Sequence, residues 1–139
     1  MKESLPIFES KSTDEKWNYM YRNVKFQIRK LGYGEDFILK PWFCIYLYIE
    51  KSKCYDFESL LFDDYSGYHT ETILNAIDFN QGVTFYEKIK TRRDGDVNCL
   101  KVGCDYNHLS DSYNHYSFDM ILRDAELAVD SLFDLKILK

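Results

Sequence analysis

Residues 81–111 read QGVTFYEKIKTRRDGDVNCLKVGCDYNHLSD, and the fold is decided in this stretch. The run VTFYEKIK is rich in β-branched and aromatic residues, and CLKVGCD alternates, with Leu100, Val102 and Cys104 on one parity. Between the two runs lies TRRDGDVN, in which Asp94 and Gly95 can supply the positive backbone torsions of a tight reversal. The pattern predicts an antiparallel hairpin with Leu100, Val102 and Cys104 facing inward.

Upstream, VKFQIRK alternates with Val24, Phe26 and Ile28 on one side and Lys25, Gln27 and Arg29 on the other, as in a half-buried strand. LGYGED breaks it. The run from Pro41, PWFCIYLYIE, is apolar on both parities. It reads as a central strand covered on two sides, or as one whose tyrosine face is a contact surface. Residues 55–80 are less legible: ESLLFDD and TETILNAI each suggest a short helix, the second capped by Thr70. Downstream, Ser117 is placed to cap a helix with Phe118, Ile121, Leu122, Ala125, Val129, Leu132 and Phe133 at helical spacing. Residues 1–16 are polar and without period, which predicts a flexible arm ahead of a single domain over 17–139. The expectation is a small α+β fold. An antiparallel sheet of three to four strands is packed by the C-terminal amphipathic helix, with short helices within 57–78.

A chain of 139 residues supports one hydrophobic core. Its 12 Tyr and 10 Phe exceed ordinary usage and suit a binding face as well as a core. No stretch resembles a signal peptide or a membrane span, so the expected compartment is the cytosol, where the four cysteines stay as thiols. Cys99, Cys104 and His108 lie close in sequence, yet on one strand an odd separation sends Cys99 and Cys104 to opposite faces. Zinc is therefore not expected, nor any other cofactor.

Charge is unevenly placed along a chain of net charge −5. Between Cys54 and Tyr86 stand six acids, among them Asp63 and Asp64, and no Lys or Arg. The last helix carries Asp119, Arg123, Glu126, Asp130 and Asp134 opposite its apolar stripe. Like charges at 126, 130 and 134 repel weakly, so helix stability did not select them. An acidic flank disfavours direct nucleic-acid binding and suits a protein partner with a basic surface. The expected contact residues are Asp119, Glu126, Asp130, Asp134, Asp63 and Asp64, with Tyr46 and Tyr48 of the central strand. A homodimer is compatible with the same surfaces.

The rival reading is a small metal-dependent or ligand-binding enzyme. Asp105, His108 and Asp111 follow one another at three-residue steps just beyond a strand, where imidazole and carboxylates can hold a metal or pair as base and orienter. Asn107, Ser110 and Ser112 make the same loop look like a self-bonded turn. No phosphate-cradling glycine loop, nucleophile elbow or dinucleotide fingerprint is present, so no catalytic residue is assigned.

The order of segments resembles a group of small phage and prophage proteins. In these an aromatic strand ending Ile-Arg and a central strand precede HGG(L/I)TY and (I/V)GFDC(A/N)HxxD segments and a C-terminal amphipathic helix. The corresponding letters here are YRNVKFQIR, WFCIYLYIE, NQGVTFY, VGCDYNHLSD and the helix from Phe118. Asn80 and Gln81 replace that group's His and first Gly, while Cys104 and Tyr106 stand where Phe and Cys are usual. The resemblance implies a mobile-element origin and action in the host cytoplasm. By analogy with anti-CRISPR proteins, it implies inhibition of a bacterial immune effector such as a CRISPR-associated nuclease.

Overall fold

The computed structural model describes residues 13–32, 42–66, 70–91, 93, 95–107 and 116–139. Among these residues five strands, β1 (Thr13–Tyr21), β2 (Val24–Gly32), β3 (Trp42–Glu50), β4 (Phe85–Lys90) and β5 (Val97–Asp105), are followed by one α-helix, α1 (Phe118–Asp134). The strands form one sheet in the order β1-β2-β3-β5-β4, and every neighbouring pair is antiparallel. This is the small α+β fold that the alternation and the helical stripe imply, with one strand more than expected.

The additional strand is β1. It begins at Thr13, so residues 13–16, assigned by composition to the arm, pair with residues 29–32. Polar letters concealed it: β1 lies at the sheet edge, and on the parity of the core its apolar residues are just Trp17, Tyr19 and Tyr21. Its turn into β2 is the two-residue pair Arg22 and Asn23, both at positive φ (51° and 64°), as a type I′ hairpin requires. In the second hairpin Gly95 takes φ 77° and its N–H donates to the Thr91 carbonyl. Asp94 and the residues 33–41 that contain most of the LGYGED break lie outside the described residues.

Register divides the side chains cleanly. Phe26 faces Leu47 and Ile28 faces Ile45 across β2–β3; Leu47 faces Val102 and Ile49 faces Leu100 across β3–β5. These residues and Cys104 are buried on the inner face against Ile121, Ala125, Val129 and Leu132 of α1. Each such side chain contributes about 1.5–3 kcal/mol by leaving water, so the sheet and helix stripe carry most of the fold. Ser117 Oγ accepts the Met120 N–H at 3.2 Å, capping α1 as expected.

The rest of the inner face is roofed by the segment between β3 and β4. The two short helices expected there are single 3-10 turns, Phe57–Leu60 and Ile73–Ala76. The second is capped by Thr72, which accepts from Leu74 N, while Thr70 instead accepts from Ser66 N. Tyr86 staples this roof to β4, since its hydroxyl donates to the Leu60 carbonyl at 2.8 Å and accepts from Phe62 N at 3.0 Å. Among the described residues no helix is long and apolar enough to cross a membrane.

Candidate functional site

The acids of α1 do share one outward side. Asp119 and Asp134 are exposed, Glu126 and Asp130 half-buried. Two are partly offset. Arg22 Nη1 donates to Asp130 Oδ1 at 2.9 Å while its guanidinium lies 4.0 Å from the centre of the Phe133 ring, so the β1–β2 turn is latched to the helix. Arg123 sits 3.8 Å from Glu126. Asp119, Asp134 and Asp64 have no ion-pair partner among the described residues. Asp63 reaches Lys88 at 3.8 Å but is fully exposed, a pair that water and salt largely screen.

Tyr46 and Tyr48 lie elsewhere. They have the opposite parity to Ile45, Leu47 and Ile49, and so occupy the sheet face turned away from α1. The chain therefore places the α1 acids and the two tyrosines on opposed sides of the molecule, separated by the core, with Asp63 and Asp64 in the segment between β3 and β4. On the outer face Lys101 Nζ stands 4.6 Å from the Tyr46 ring centre, 5.4 Å from Phe85 and 5.8 Å from Tyr48. Phe85 meets Tyr46 edge-on at 5.1 Å. Tyr46 is buried beneath these neighbours, and desolvation pushes its hydroxyl well above the usual tyrosine range. It holds this face together and presents little of itself, whereas Tyr48 is half-exposed. No described helix or strand packs over the outer face.

Toward one end of that face the sheet parts. The β2–β3 register stops at the Phe26–Leu47 pair, although β1–β2 continues to Tyr21–Val24 and β3–β5 to Glu50–Cys99. The gap opens into a trough of about 800 Å³ lined by Asn18, Met20, Lys25, Tyr48, Asn98 and Cys99 among others. Asn98 is the residue left over where the β4–β5 register shifts. At the rim Lys53 Nζ donates to Glu50 Oε2 at 3.1 Å and to the Asn23 carbonyl at 2.6 Å. Glu50 is thus neutralised, while Lys25 has no acidic partner among the described residues. Burial raises the Cys99 thiol to about 11, with Glu50 adding to the shift and Lys25 and Lys53 opposing it. Sequence reasoning placed Lys25, Gln27 and Arg29 outward but missed this trough, because pairing between residues as distant in sequence as Phe26 and Leu47, not local pattern, creates it.

Asp105 ends β5 as part of a self-bonded turn. Its Oδ1 accepts the Asn107 N–H at 3.0 Å, its Oδ2 accepts from Thr84 Oγ1 at 3.2 Å, and its carbonyl accepts from the Asn80 amide at 3.2 Å. His108 and Asp111 lie outside the described residues. Among the described residues no group of three His, Cys, Asp or Glu side chains is arranged to hold a metal ion. Cys104 is buried in the core and Cys99 points to the other face, as their spacing implies. Near them Tyr106 donates to Asp124 Oδ2 at 2.6 Å, tying the end of β5 to α1. The chain matches no protein-family model, no curated protein and no solved structure.

Proposed function

We propose that the protein is a non-enzymatic binding protein of phage origin that inhibits a bacterial immune effector. It does so by laying the acidic side of α1 on a basic, nucleic-acid-binding surface of its target, as an anti-CRISPR protein occupies a nuclease. One observation carries the reading: Asp119, Glu126, Asp130 and Asp134 run along a single outward side of the helix, the last three at i,i+4 spacing where like charges cost the helix repulsion. Arg22 and Arg123 temper that side without reversing it, since Asp119 and Asp134 at its two ends have no ion-pair partner among the described residues. Such a surface steers association with a cationic groove and weakens as salt is added. The Tyr48 side of the sheet, facing the other way, is not part of this contact.

The test is a plaque assay in cells that carry a CRISPR-associated nuclease, with and without the protein, beside direct binding to the purified effector. The triple reversal Asp119→Lys, Glu126→Lys and Asp134→Lys leaves Asp130 to hold Arg22 and is expected to abolish inhibition while the chain stays folded, with a melting temperature somewhat lowered by loss of the acid in the first turn of α1. Wild-type affinity should fall at least tenfold between low and physiological salt. Inhibition that survives the triple reversal removes the acidic helix from the mechanism.

A further inference from the structure

The trough on the outer sheet face has no part in the function proposed above, and its chemistry is of the opposite sign. Two charged side chains line it: Glu50, whose carboxylate is paired with Lys53 at 3.1 Å, and Lys25, which has no acidic partner among the described residues, so in a chain of net charge −5 the trough is locally cationic. Its volume of about 800 Å³ falls within the range of small-molecule sites. Met20 and the Tyr48 ring supply apolar and flat surface. Asn18 Oδ1 accepts from Gln27 Nε2 at 2.9 Å, which orients the side chain and leaves its amide N–H groups to donate. Asn98 brings a second amide from the bulged position of β5.

We propose that this trough binds a mononucleotide. Its phosphate would pair with the Lys25 ammonium, its base would lie along the Tyr48 ring, and the Asn18 and Asn98 amides would meet the donors and acceptors of the base edge. The two amides decide between a base and a simple anionic amphiphile. A fatty acid would satisfy Lys25 and the apolar walls and would leave both amides desolvated without partners, at a cost. The splayed end of the sheet adds backbone groups of Lys25 and Tyr48, which stand beyond the last β2–β3 pair.

Titration of the full chain with AMP by calorimetry, beside adenosine, inorganic phosphate and decanoate, tests the assignment. AMP should bind saturably with a dissociation constant below about 1 mM, and adenosine and phosphate should each bind at least about tenfold more weakly. Lys25→Glu, an exposed position whose change leaves the core intact, should weaken AMP by about tenfold or more, and Tyr48→Ala should do likewise. Asp119→Lys, on the other side of the molecule, should leave the isotherm unchanged, which keeps this outcome separate from that of the inhibition assay. Failure of AMP, GMP, CMP and UMP to saturate at low-millimolar concentration overturns the proposal. So does AMP binding that Lys25→Glu leaves untouched, or decanoate binding more tightly than every nucleotide.

Discussion

Gly103 shows how one missing Cβ organises the outer sheet face. It sits in β5 directly opposite Tyr46, and the Tyr46 ring lies over it, covering the backbone that a glycine exposes. A Cβ at this position would press on the Ile45 carbonyl oxygen and stand 2.7 Å from the Tyr46 ring. The carbonyl belongs to a central strand and cannot yield, and the ring is pinned in turn by Phe85 and Lys101. Alanine ordinarily improves a strand over glycine. Here Gly103→Ala should lower stability by about 1–3 kcal/mol through overpacking, read as a shift of the urea midpoint at constant slope. A neutral or stabilising result would mean that Tyr46 can vacate the space.

The helix ends with a similar conflict between backbone and side chain. Past α1 the Lys136 N–H donates to the Phe133 carbonyl and the Ile137 N–H to the Leu132 carbonyl, the paired bonds of a Schellman cap, and Lys136 takes φ 62°. That left-handed position costs a residue with a Cβ about 1 kcal/mol, a strain that glycine escapes. Lys136→Gly should therefore raise the thermal midpoint by a few degrees, corresponding to about 0.5–1 kcal/mol, and Lys136→Val should lower it. The motif was invisible in the sequence because lysine, not glycine, occupies the turn. It persists because the chain beyond it is anchored: Ile137 and Leu138 are buried, and the Lys139 N–H donates to the Lys53 carbonyl. The same substitution of tertiary anchoring for local propensity hid β1. Its turn uses arginine at positive φ, and the ion pair to Asp130 with the stack on Phe133 holds it there. Where local chemistry and tertiary structure agree, as in the β4–β5 hairpin, the β2 alternation and the Ser117-capped stripe, the elements were legible. The candidate site was legible only as separate residues: parity put Tyr48 and Lys25 outward, but only strand order makes them neighbours across a gap.

A chain with its thiols and phenols folded into a sheet should respond to alkali as a unit. Burial raises all four cysteines above the ordinary value of 9.0, Cys54 and Cys99 to about 11, Cys44 and Cys104 in the same direction, and burial likewise raises Tyr46 and Tyr106 above 10.0. A group whose folded pKa exceeds its unfolded one keeps its proton longer in the native chain. Its stabilisation is complete below the unfolded value and declines as pH climbs from there toward the folded value. The thiols thus withdraw support from about pH 9 upward, and the tyrosines join from about pH 10. For Cys104, 1% exposed in the core, the slope is at most about 1.4 kcal/mol per pH unit. Urea midpoints should be level between about pH 7 and pH 8 and fall steeply above about pH 9, with the loss reversible on return to neutral buffer under a reductant. Cys104→Ala should start lower, because it opens a cavity beside Ile45 and Tyr106, yet lose less per pH unit than the wild type. Equal slopes in the two proteins would show that Cys104 ionises in the native state, and the tight inner face described for β5 would then be wrong.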